Sequence, residues 1–65
     1  MDRLTINYLL ALRGMRHQDL ADDLRITRPA VTNVIGGRRK TVRIQEAIAA
    51  ALGRKIGDIF PDGKK

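Results

Sequence analysis

Three polar side chains carry the chemistry most visible in this chain. Arg28, Thr32 and Asn33 sit on a segment whose apolar residues, Val31, Val34 and Ile35, recur at helical spacing. With those three turned inward, Arg28, Thr32 and Asn33 face outward, with Pro29 and Ala30 beside them. These are the side-chain types that pair with base edges. An arginine fork matches O6 and N7 of guanine, and an asparagine amide matches N6 and N7 of adenine. A threonine offers a hydroxyl, or a methyl group against thymine. A helix that is only solvated tends to carry Glu–Lys pairs and strong helix formers. This one has neither Glu nor Lys, and Thr, Asn and Val are mediocre helix residues.

The charge distribution points the same way. Thirteen basic residues against seven acidic ones give a formal charge of +6, and the pI is 10.9. Between residues 25 and 45 lie Arg25, Arg28, Arg38, Arg39, Lys40 and Arg43 without one acid, while Asp19, Asp22 and Asp23 gather earlier. Segregation of that kind implies a basic face suited to a polyanion. Arg38, Arg39, Lys40 and Arg43, directly after the polar trio, are candidates for phosphate contacts, which position a protein without carrying sequence information. A solvated charge run is the plainer reading of such residues taken alone.

Other chemistries find little support. The chain has no serine, no cysteine and one histidine, so neither a nucleophile–base pair nor a metal site can be assembled in the ordinary way. No enzymatic activity, cofactor or metal is expected. The longest apolar runs, residues 8–12 and 47–52, fall far short of the ~20 residues that span a bilayer. No signal peptide is visible and cysteine is absent, so a cytoplasmic protein is expected.

Five segments must position these residues. The first, about residues 4–13, carries Ile6, Leu9, Leu10 and Arg13 at helical spacing, with Asp2 as its cap and Gly14 as its left-handed stop. The second spans about 17–24, with Leu20, Ala21 and Leu24 inward and Asp19 in the first turn, where the helix dipole favours a negative charge. Thr27 caps a third over about 28–35, where Pro29 in the first turn costs no hydrogen bond and Gly36-Gly37 ends the helix. Thr41 caps a fourth over 42–52, with Ile44, Ile48 and Leu52 on one face and Gly53 as its stop. Residues 56–60 make a final turn. No segment alternates with period two. The expected fold is all-α, four to five short helices over residues 1–61, followed by a short basic tail at 62–65.

Residues 17–37 resemble the helix-turn-helix of the lambda-repressor/Cro-like family. The matching residues are Leu20, Ala21 and Leu24 in the first helix, Ile26 after the turn, and Val31 and Val34 in the second. Ala21 must be small where the two helices cross. The likeness extends to Leu9, Gly14 and Met15 and to residues 47–53 and 56–61, which are similar to the closing helices of Ner-like phage regulators. Two positions depart from the pattern: Arg25 stands where the turn usually has glycine, and Arg16 where the cap is usually Ser, Thr or Asn. Both departures add positive charge.

The resemblance implies a small transcriptional regulator of phage or prophage type, most often a repressor, which is nucleoid-associated when bound. It implies double-stranded DNA as partner, read in the major groove by Arg28, Pro29, Thr32 and Asn33. His17, Gln18 and Thr27 then join Arg38, Arg39, Lys40 and Arg43 at the backbone, helped by N–H groups at the start of the second helix. One such domain covers few base pairs, so a homodimer on a palindromic operator is expected. Leu4, Tyr8, Leu10, Ile56, Ile59 and Phe60 are read first as core. The core of so small a domain cannot hide all of them, and Ile56, Ile59 and Phe60 are the candidates for a dimer contact. No small-molecule effector is evident. The alternative is a protein-interaction module on the same scaffold, of antitoxin or antirepressor type.

Overall fold

The order of local signals along the chain is reproduced as five helices: α1 (Arg3–Leu12), α2 (His17–Leu24), α3 (Arg28–Ile35), α4 (Val42–Leu52) and α5 (Ile56–Ile59). The computed structural model describes residues 1–60, and among these there is no strand. The expected tail at 62–65 lies outside the described residues.

Helix starts follow the capping chemistry only in part. Asp2 caps α1, its Oδ1 accepting the Thr5 N–H at 2.8 Å. Arg16 stands at the cap of α2, and a guanidinium has no acceptor to offer. The reciprocal half of a capping box forms instead: the Arg16 N–H donates to Asp19 Oδ2 at 2.8 Å. Thr27 and Thr41 occupy the cap positions of α3 and α4 with extended backbone, but neither hydroxyl bonds into its helix.

Helix ends are more uniform. In α1 to α4 the first or second residue after the end turns left-handed: Arg25 and Gly53 directly after α2 and α4, Gly14 and Gly37 one residue later after α1 and α3. Each is followed by an N–H reaching back five residues: Met15 to Leu10, Ile26 to Ala21, Arg38 to Asn33 and Arg54 to Ala49. This is the Schellman closure, which satisfies carbonyls that a bare helix end leaves open. It also places α1 one residue earlier at its end than the sequence pattern suggests, because Arg13 already belongs to the turn.

α4 is the hub, packing against each of the other four helices, and α2 packs chiefly on α3. The core joins Ile6 and Leu10 of α1, Leu20 and Ala21 of α2, and Val31, Val34 and Ile35 of α3. Ile44, Ile48, Ala49 and Leu52 of α4 complete it with Ile59 and Phe60. Fully burying one large apolar side chain of this kind contributes about 1.5–3 kcal/mol, so every helix adds to the stability through its buried stripe. Gln45 is also buried, and no buried side-chain polar atom among the described residues lacks a partner.

The burial of Ile59 and Phe60 corrects the expectation for the last turn. They are 0% and 8% exposed, so they fill the end of the core and offer no surface to a second chain. Of that trio only Ile56 is half-buried. The large apolar side chains left exposed are Leu4, Tyr8, Leu12 and Val42. No helix among the described residues is long and apolar enough to cross a membrane.

Candidate nucleic-acid interface

The N-terminal turn of α3 is held at the surface by its own buried side. Val31, Val34 and Ile35 lock the helix onto the core, and this leaves Arg28, Pro29 and Thr32 exposed and Asn33 half-buried. Arg28 and Thr32 lie one turn apart on one face. They line an open cleft of about 570 Å³ together with Asn7, Arg16, His17 and Gln18, above Leu10 and Met15. Asn33 lies off this cleft. Its backbone carbonyl has a separate task, accepting the N–H groups of Arg38 (2.9 Å) and Arg39 (3.3 Å). The basic loop is thereby tied to the end of the helix it follows, and Arg38, Arg39 and Lys40 are all exposed.

The start of α2 differs from expectation. Both ring nitrogens of His17 are engaged inside the domain: Nε2 lies 2.7 Å from Asn7 Oδ1, and Nδ1 lies 2.9 Å from Thr32 Oγ1. The imidazole therefore has no free nitrogen for a phosphate, which corrects its expected role as a backbone contact. Burial, and secondarily the Arg28 charge, pushes its pKa below the ordinary histidine value. Gln18 donates one amide N–H to Asp22 Oδ1 at 2.8 Å, and its NH2 group carries a second. The Asp19 carboxylate already takes the Arg16 N–H, and that bond, followed by the Arg16 side chain, holds its pKa below the usual carboxylate range.

Two arginines act at a distance along the chain. Arg43 Nη2 donates to the Leu24 carbonyl at 3.1 Å, closing the end of α2 from the first turn of α4. Only one of its five N–H donors is used there. Arg13 Nη2 likewise donates to the Leu52 carbonyl, 3.0 Å away at the end of α4. Arg25, between α2 and α3, has φ 58° and ψ 47°, the left-handed conformation that its place in the turn implied.

Asn7 was not singled out in the sequence. Its one signal is position, a polar residue on the edge of the stripe formed by Ile6 and Leu10, where a half-buried amide needs a partner. The partner is His17, which the sequence alone could not supply.

Taken together, a short helix presents Arg28 and Thr32 beside a cleft edged by Arg16, and a basic loop is bonded to the helix end. Such a surface can hold a polyanion and read donor and acceptor patterns. No curated protein and no solved structure matches the chain significantly. The family model of the Cro/C1-type HTH DNA-binding domain matches residues 5–62, nearly the whole chain, and spans the α2–α3 motif, the cleft and the basic loop. The chain belongs to the Cro/C1-type helix-turn-helix DNA-binding domains.

Proposed function

We propose that this protein binds double-stranded DNA sequence-specifically as a transcriptional repressor, with α3 in the major groove. The observation that carries the reading is the exposed pair Arg28 and Thr32 at the N-terminal turn of α3, on a helix followed by an exposed basic loop. Arg28 pairs with guanine, Thr32 and Asn33 meet neighbouring bases, and Pro29 packs against the groove wall. Gln18, Thr27, Arg38, Arg39, Lys40 and the remaining donors of Arg43 hold phosphates on either side. Two copies bind a palindrome, because one α3 reads too few base pairs for a unique site.

In-vitro selection of bound duplexes by the purified protein tests this directly. An enriched palindrome with half-sites about 10 base pairs apart is expected. Arg28→Ala then lowers discrimination at one position by ~1–3 kcal/mol, whereas Arg39→Ala weakens binding to all sequences alike and flattens the salt dependence by about one unit of slope. Absence of any enrichment, with a protein partner recovered instead, would favour the interaction-module reading.

A further inference from the structure

His17 links helix α1 to the reading helix through two hydrogen bonds, and the orientation of the Asn7 amide, with Oδ1 towards the ring, sets their polarity. The Asn7 Oδ1 atom, 2.7 Å from Nε2, has no proton to give, so the imidazole holds its proton on Nε2. A neutral ring then has a bare Nδ1 that only accepts. The Thr32 Oγ1 atom, 2.9 Å from it, must be the donor and spends its single proton there. What Thr32 has left to present outward is lone pairs.

We propose that His17 makes Thr32 a fixed hydrogen-bond acceptor, so that the position of the DNA site facing Thr32 must be a base with a major-groove amino group. Adenine (N6) and cytosine (N4) offer that donor, whereas guanine and thymine present acceptors at the same edge. His17 is thus a positioning residue for specificity and touches no base itself. The inference rests on the assignment of α3 as the reading helix, and it adds which bases one residue selects.

The surroundings keep the ring neutral. Arg28 faces it from α3 and Arg16 from the start of α2, while α1 contributes the uncharged Asn7 and α2 the uncharged Gln18. No carboxylate lines the cleft among the described residues, and Asp19 is bonded to Arg16. An imidazolium here would sit beside the Arg28 cation. Burial and Arg28 accordingly favour the uncharged form.

The test compares selection profiles of the wild type, Thr32→Val and His17→Phe. Valine keeps the methyl of threonine without the hydroxyl, so the one position it relaxes is the position Thr32 reads. There the wild type is expected to prefer adenine or cytosine over guanine or thymine by roughly threefold to tenfold, the range of one hydrogen bond. His17→Phe keeps a ring in place but frees the hydroxyl to rotate, so all four bases become equivalent at that position and the other positions stay unchanged. Imidazole ¹⁵N NMR of the wild-type complex should show a neutral ring protonated on Nε2, and it carries the test if His17→Phe fails to fold. A guanine or thymine preference at that position, an unaltered preference in His17→Phe, or a proton on Nδ1 overturns the proposal. If Thr32→Val relaxes no position, or if no sequence is enriched at all, the assignment of α3 has failed first and the role of His17 falls with it.

Discussion

At the end of α2 the chain turns through Arg25 (φ 58°, ψ 47°), and at the end of α4 through Gly53 (φ 67°, ψ 32°). The closures match bond for bond. In each, the left-handed residue donates back three positions and its successor five, Arg25 and Ile26 at one end, Gly53 and Arg54 at the other. In each, the preceding leucine carbonyl is taken by a guanidinium from far along the chain: Arg43 in α4 serves Leu24, and Arg13 in the turn after α1 serves Leu52. The residue in the turn is the difference. A left-handed backbone costs a residue with a Cβ about 1–2 kcal/mol and costs glycine almost nothing. Arg25 carries that cost at the head of the acid-free segment, three residues before α3. The end of α4 therefore carries no such backbone cost, whereas the end of α2 does, and there the residue is a cation beside the proposed interface.

Removing what distinguishes the end of α4 should have the largest effect. Gly53→Ala is expected to destabilise the domain by about 1–2 kcal/mol in urea unfolding. Backbone conformation is the cause, since the nearest atom to an added Cβ is Arg13 Nη2, at an ordinary 3.8 Å. Arg13→Met follows, with a loss of about 0.5–1.5 kcal/mol for the open Leu52 carbonyl. Its DNA affinity should keep the wild-type salt dependence. A changed slope would mean that Arg13 belongs to the interface, and the contrast between the two ends would collapse.

Arg25→Gly separates the two sides of the comparison. It relieves the turn but gives the unfolded chain more freedom, so a net stabilisation of about 0.5–1 kcal/mol is expected. DNA binding should weaken through the loss of one cation beside the proposed interface, with the salt slope reduced by up to ~0.9. A variant that is more stable and binds equally well would show that the arginine has no task at the turn.

The smallest effect is a pH dependence. The folded-state pKa of His17 lies below its ordinary value of 6.5, so between those two values the unfolded chain binds the extra proton. The contribution of His17 is complete above about 6.5 and is lost as pH falls from there through the folded pKa. Melting temperature should decline with acid across that window, and His17→Phe should remove that slope. Asp2 and Asp19, both with lowered pKa values, add a further loss only below their ordinary 3.8.

Much of the scaffold is legible in the residues themselves. Three helices, α2, α3 and α4, span the residues that the apolar spacing gives them, and α3 and α4 also stop at their glycines, because each signal acts within one helical turn. The core stripes follow for the same reason: a helix with Ile44, Ile48 and Leu52 on one face has only one side to bury. Arg25 was visible as a misfit because a turn motif imposes its own backbone. The outward placement of Arg28 and Thr32 follows from that register as well.

The remaining features are decided by contacts between residues far apart in the chain. Ile59 and Phe60 look like surplus apolar surface until the last turn packs against α4. His17 looks like a phosphate contact until Asn7, ten residues away, and Thr32, fifteen away, take both its nitrogens. Arg43 looks like one more cation in a basic run until it reaches Leu24. The sequence by itself determined the helices and which face of each is buried, since those depend on neighbours three and four residues apart. Only the tertiary structure decided which polar side chains are committed inside the domain and which remain to meet DNA. A hydrogen bond needs partners within about 3 Å, and no local pattern says which distant residue will arrive.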